Sequence, residues 1–258
     1  MFAHHHRPAS TALLNQGRNG PSGPDIDVDR SHVGAVPYGK WIYNCTNPGE
    51  VALTFDDGPM DYTQSIVDSL DSAGFRGTFF VVGFYGYRKI YDETTTYPSL
   101  LRSMHERGHQ IGSHTWRHFN LDRLSSEERI DEIVNNEKAF AKVLGFVPTY
   151  LRPPFGSCKG PCLEDLRGLG YHAVYWDIDT KDYLYDTEET YHFGLDRFTD
   201  DLNAGGSLAL CHDKIMHTAT KLVHHMIWEL QRRGLKGVTI GECLGDPEAN
   251  WYREASWQ

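Results

Sequence analysis

Val51-Ala52-Leu53-Thr54-Phe55-Asp56-Asp57-Gly58-Pro59 delivers two adjacent carboxylates from an apolar run into a Gly-Pro turn. The run reads as a strand and the turn as its end. Successive strand side chains alternate, so Asp56 and Asp57 are expected to point in different directions. One can then bind a metal while its neighbour faces a reacting centre as a base. The complement lies further on, in Ser113-His114-Thr115-Trp116-Arg117-His118. Histidines at i and i+4 share one face of a helical turn and can grip one cation. One Asp with two His gives three ligands and leaves positions open, the catalytic rather than the closed structural pattern. Imidazole plus carboxylate suits Zn2+ best, and Co2+ or Ni2+ fit the same donors. Taken singly, Asp57 reads equally as a turn residue and the histidines as the surface of a helix.

The 258-residue chain carries a net charge of −10 and 40% hydrophobic residues. That length suits a single α/β barrel. The apolar runs are strand-sized, so no membrane span is expected. No dense Lys/Arg run offsets the acidic balance, which argues against a nucleic-acid partner. Strand candidates at 51–55, 77–82, 110–113, 149–152, 172–176, 208–211 and 238–240 alternate with amphipathic helix candidates at 63–72, 97–107, 126–144, 162–169, 187–202 and 218–233. Ser125 and Glu128 form a capping box, and Gly108, Gly145, Gly170 and Gly234 stand where helix C-caps are needed. Seven β-α units without a long linker predict one domain, residues 39–258, built on a parallel barrel-like sheet. Residues 1–38, rich in Gly, Pro and Asn, read as a poorly structured arm. His4, His5 and His6 there read as a tag remnant or solvated tail rather than a metal site. The Tyr-rich stretch 85–97 reads as a surface loop beside the site.

Five cysteines are few for a disulfide scaffold, but their positions are informative. Cys158 and Cys162 are close enough for a local bridge, and a Cys45–Cys243 bridge would tie the chain ends together. Cys211, in an apolar strand, reads as a buried free thiol. The alternative is five reduced cysteines in a cytosolic enzyme. Asn44-Cys45-Thr46 is a glycosylation sequon, weakened if Cys45 is bridged.

Asp56-Asp57, His114 to His118, Arg152-Pro153-Pro154-Phe155, Asp179 to Tyr183 and Leu210-Cys211-His212 match, in order, five motifs of one family. The chain resembles the polysaccharide deacetylases of carbohydrate esterase family 4, the NodB-homology domain, and most of all the fungal-type chitin deacetylases. The resemblance spans residues 40 to 245 and implies a distorted (β/α)7 barrel with its site at the C-terminal ends of the strands. It implies Asp57, His114 and His118 as metal ligands and Asp56 as the base, oriented by Arg152. It implies the Phe155 backbone amide as an oxyanion donor, with Phe where the family usually has Tyr. It implies His212 as the acid, with Asp179 as the partner that raises its pKa. Leu210 would line an acetyl-methyl pocket, and Tyr183 would stand in place of a Trp as a groove wall, with Trp176 beside it. The remaining histidines, His105, His109, His172, His217, His224 and His225, read as structural or exposed.

The expected protein is therefore a secreted monomer that removes acetyl groups from N-acetylglucosamine units of chitin or chitooligosaccharides. An acidic surface suits a neutral glycan whose product is cationic. O-deacetylation of xylan is the nearest alternative; a peptidoglycan substrate fits less well. A non-catalytic glycan-binding module would show eroded ligands, and none is eroded here.

Overall fold

The structure is a computed structural model that describes residues 20–22 and 24–258. In chain order its strands are β1 (Ile26–Val28), β2 (Trp41–Ile42), β3 (Glu50–Asp56), β4 (Thr78–Val81), β5 (Phe84–Tyr85), β6 (Arg88–Lys89) and β7 (Gln110–Ser113). They continue with β8 (Phe146–Pro148), β9 (Tyr150–Leu151), β10 (His172–Val174), β11 (Ile178–Asp179), β12 (Leu208–His212), β13 (Lys236–Val238) and β14 (Tyr252–Trp257). The main helices are α1 (Thr63–Ser72), α2 (Tyr97–Glu106), α3 (Ser126–Leu144), α4 (Gly160–Gly168), α5 (Tyr191–Asn203) and α6 (Val223–Arg233).

A parallel sheet in the order β11-β12-β3-β4-β7-β9-β10-β2, with β13 also on β3, curls through the domain. Among the described residues β11 and β2 are not paired with each other, so the sheet is a half-barrel rather than a closed one. Because every pairing is parallel, all the strand C-terminal ends share one rim. In β12 and β3 the register sets His212 directly opposite Asp56.

Alternation along the strands sorts the core into layers. Leu53 and Phe55 of β3 and Phe79 of β4 pack outward with Ile66 and Leu70 of α1, Leu101 and Met104 of α2 and Phe140 of α3. Ala52 and Phe80, one residue out of phase, belong to an inner cluster with Tyr150, Val174 and Leu208. Asp56 is in phase with Ala52 and Thr54, which aims it into the barrel mouth. The predicted capping box on α3 is present, and its helix ends at Gly145 with φ 80°.

Three expectations change. The sequence offered no strong strand signal at 24–38, yet part of it is folded: β1 adds to β14, which pairs with β8 in an antiparallel sheet outside the barrel. Arg30 pairs with the buried Glu137 of α3, which ties this part of the arm to the domain. The candidate site at His4–His6 lies outside the described residues. The stretch after Gly83 is not a plain loop, since β5 and β6 form a short hairpin. The helix expected at 218–233 starts with a π-type turn, Thr218–Leu222, before α6. Cys45–Cys243 and Cys158–Cys162 are bridged, and Cys211 is a buried free thiol.

Candidate active site

Asp56, Asp57, His114, His118, Pro153, Phe155, Gly156, Trp176, Tyr183, Leu210, His212 and Lys214 line one pocket of about 340 Å³ at the strand-end rim. Every sequence-predicted site residue except Arg152 and Asp179 is among them. Arg152 lies beneath the pocket floor, fully buried.

The two aspartates diverge for a reason other than strand alternation. Asp56 ends β3 in extended backbone, whereas Asp57 has left the strand with φ 81°. The chain then turns at Gly58, where a Cβ would lie 1.8 Å from Asp213 Oδ2, so only glycine fits. Nor do His114 and His118 share a helical turn. They lie on an irregular loop after β7, with φ 69° at Thr115 and 58° at His118. Non-glycine residues in this region carry roughly 1–3 kcal/mol of strain each, and such strain persists only where the surroundings over-determine it. Helix α3 supplies those surroundings. Glu132 accepts the Arg117 backbone N–H at 2.7 Å and its side-chain Nε at 2.5 Å. One turn on, Asn136 Nδ2 donates to Val81 O and Ser113 Oγ, each at 3.0 Å.

The loop brings His114 Nε2 to 3.5 Å and His118 Nε2 to 3.2 Å from Asp57 Oδ1. The ligand atoms of the three residues lie within 4.8 Å of one another. His114 Nδ1 meets the Arg152 carbonyl at 2.6 Å and must donate to it, which leaves Nε2 as a lone-pair donor. Burial, reinforced by His114, holds His118 down to about 4, so its ring is neutral near pH 7. Asp57 is held at about 2: burial opposes ionisation, but His114, His212, His118 and Lys214 together outweigh it. Asp57 Oδ1 is buried and has no hydrogen-bond partner. A buried carboxylate oxygen without a hydrogen-bond donor, facing two imidazoles, fits a divalent cation.

Arg152 fixes the neighbouring carboxylate. Its Nη1 donates to Asp56 Oδ1 at 2.8 Å and to Thr54 Oγ1 at 2.6 Å, and its Nη2 donates to Tyr175 O at 2.8 Å. The guanidinium also sits 4.5 Å from the Phe80 ring centroid. Opposite, His212 Nδ1 lies 2.7 Å from Asp182 Oδ1. The partner expected from the sequence was Asp179, and the structure corrects it. Asp179 Oδ1 turns back to accept the Lys181 N–H at 3.1 Å, and its carbonyl accepts from Arg197 Nε at 2.7 Å. Asp182 lies just past that turn and accepts four bonds, from Tyr183 N, His212 N, His212 Nδ1 and Thr218 Oγ1. Burial opposes the charged ring of His212, yet Asp182 raises it to about 9.

The pocket walls are aromatic. Phe155, with φ 61°, is 66% exposed and sets its ring 4.8 Å from His118. Tyr183 packs edge-on to His212 at 5.4 Å, and Trp176 stacks on Tyr175 at 4.0 Å. Lys214 was not singled out from the sequence. Its Nζ lies 2.7 Å from Asp57 Oδ2.

A parallel half-barrel with a cation-binding set, an Arg-held carboxylate and an Asp-held imidazole on its rim is the architecture of a metal-dependent hydrolase. The chain belongs to the polysaccharide deacetylase family, which matches residues 43–174. It is 41% identical over 222 residues to a chitin deacetylase of Colletotrichum lindemuthianum, covering 84% of this chain and 88% of that protein. The solved structure of the C. lindemuthianum chitin deacetylase superposes with a TM-score of 0.80 at 41% identity, over 84% of this chain and 96% of the other. A probable peptidoglycan-N-acetylglucosamine deacetylase of Arthroderma benhamiae is 42% identical over 219 residues, 84% of this chain. The chain spans about half of that protein's length, 49%. A family 4 carbohydrate esterase of Streptomyces lividans shares the fold at a TM-score of 0.62 and 27% identity, over 75% of this chain and 92% of the other.

Proposed function

We propose that this chain hydrolyses the acetamide of N-acetylglucosamine units in chitin or chitooligosaccharides and releases acetate. One observation carries the reading: a single pocket holds the Asp57-His114-His118 set, the Arg152-bound Asp56 and the Asp182-bound His212. Similarity to a chitin deacetylase and to a probable peptidoglycan-N-acetylglucosamine deacetylase supports N-acetylglucosamine as the unit acted on.

Zn2+ suits the donor set best, and a cation held there supplies Lewis acidity to the acetyl carbonyl and to water. The chain's residues do the rest. Asp56, oriented by Arg152, accepts the proton of the attacking water. The Phe155 backbone amide is the donor assigned to the developing oxyanion. His212, charged through its contact with Asp182, gives a proton to the departing nitrogen. Leu210 and Trp176 border the acetyl group, and Tyr183 and Phe155 offer faces to the sugar ring. Asp179 acts at one remove, by shaping the turn that presents Asp182.

Among the described residues no helix is long and apolar enough to cross a membrane. The two disulfides fit an oxidising, extracellular setting, and we assign the protein to the secreted or cell-wall fraction on that ground. The test is acetate release from N-acetylated chitin oligomers, peptidoglycan fragments and acetylxylan, with and without a chelator. Release from chitin oligomers that stops on chelation is expected. Release from acetylxylan alone, or full release by protein shown to be metal-free, overturns the reading.

A further inference from the structure

The two oxygens of Asp57 have different neighbours. Oδ1 faces His114 and His118 and lacks a hydrogen-bond partner, whereas Oδ2 lies 2.7 Å from Lys214 Nζ. Lys214 follows β12, two residues after His212, and lines the same pocket as the histidine loop. Its ammonium sits 5.5 Å from the ring centroid of Tyr85, on the hairpin at the rim, and its side chain is about a third exposed, 36%. The lysine is thus held between the hairpin and the aspartate.

We propose that Lys214 is a positioning residue for the metal centre, which occupies Asp57 Oδ2, limits Asp57 to ligation through Oδ1 and lowers the affinity of the site for its cation. Two physical effects act together. A carboxylate can bind a cation through one oxygen or two, and an ammonium on one oxygen disfavours the second mode. Imidazole donors bring no charge to a cation and one carboxylate brings one negative charge, which the ammonium cancels. A like charge a few ångströms from a dication in a partly buried site is repulsive. Coordination positions are thereby left for water and the acetyl carbonyl. The inference rests on the metal assignment proposed above.

The test uses the full chain, stripped with a chelator and then titrated with Zn2+ against a chromophoric competitor, and with Co2+ followed by visible absorption. Wild type, Lys214→Met, Lys214→Arg and His114→Ala are compared, with melting curves of the metal-free proteins as a fold control. Lys214→Met is expected to bind about tenfold or more tightly. Its Co2+ bands should weaken as a second carboxylate oxygen raises the coordination number. Lys214→Arg, which keeps the charge, should stay within about threefold of wild type. Unchanged or weaker binding by Lys214→Met, or Co2+ bands that do not weaken, overturns the proposal. Should Lys214→Met fail to fold, Lys214→Gln is read by the same criteria. Failure of the wild type to bind, or of His114→Ala to lose binding, would instead remove the metal assignment itself.

Discussion

His212 Nδ1 lies 2.7 Å from Asp182 Oδ1, while Asp182 Oδ2 accepts the His212 backbone N–H at 2.6 Å. The same carboxylate therefore fixes the strand end and the ring orientation, and it leaves Nε2 as the atom available to the pocket. With the ring raised to about 9, the imidazolium is the resting form at neutral pH.

The alkaline limb of activity follows. An acid must be protonated, so kcat/KM should fall as pH rises through the His212 pKa. That limb should lie at or below about 9, because a cation at Asp57 repels the imidazolium. Asp182→Asn should move the limb to lower pH and lower the rate on the order of 10–100-fold. In stability the sign is the same. The folded pKa lies above the unfolded one, so the contribution is complete below about 6.5 and is lost as pH rises through about 9. A limb that stays in place in Asp182→Asn would remove Asp182 as the controlling group.

Amide and ester substrates separate acid from base. Expelling an amine requires a protonated nitrogen, whereas an alkoxide leaves with less help. His212→Ala should cost roughly 10²–10⁴-fold on an N-acetyl substrate and clearly less on an O-acetyl ester. Asp56→Asn acts at water attack and should damage both comparably. Metal content is measured in each variant. Equal losses in His212→Ala would point to oxyanion binding rather than proton donation.

Asp213 offers a test of the ground beneath the turn. Its fully buried carboxyl, bonded to Thr63 Oγ1 at 2.6 Å, is pushed up to about 8, chiefly by burial. A carboxyl raised above its unfolded value loses stability as pH climbs from about 4 to about 8. Asp213→Asn should therefore melt progressively better, relative to wild type, between pH 5 and pH 8. A constant difference in Tm over that range would show that the carboxyl ionises freely.

The helix α3 clamp predicts a split between fold and ligation. Glu132→Ala leaves the Arg117 amide and Nε without their acceptor, which should destabilise the domain by about 1–3 kcal/mol. It should also weaken cation binding, because the loop between His114 and His118 loses its anchor. Denaturant melts and metal titrations read the two effects separately, and unchanged cation affinity would show that the loop holds its shape alone.

Cys45–Cys243 joins residues 198 apart. Replacing both with Ser should cost about 2–4 kcal/mol by the loop-entropy account, with the rate at 25 °C little changed. A rate loss parallel to the stability loss would link the bridge to the pocket instead.

Much of this was legible because strand-end chemistry is local. The run ending in Asp56-Asp57 reported both its strand and its carboxylates, and helix α3 announced itself through Ser125, Glu128 and Gly145. The errors have a common physical origin in left-handed and turn backbone. A His-x-x-x-His spacing cannot distinguish a helical turn from a loop with φ 69° at Thr115. Asp179 and Asp182 stand three residues apart in one motif, and only the turn between them decides which reaches His212. Lys214 gave no periodic signal, since its contact is with Asp57, far away in sequence. The edge strand β1 is three residues long, too short to register as a pattern, and exists because β14 offers it a partner.

Asp56 and His212 face each other as a matched pair on adjacent parallel strands. The separation of their backbones is consequently set by the strand ladder, while the His212 ring answers to Asp182 and the Asp56 carboxylate to Arg152. A slip of a single residue would turn one of them out of the mouth altogether. Adaptation to a new substrate is thus channelled away from the paired strand ends and into Phe155, Trp176 and Tyr183, the aromatic side chains that line the same pocket.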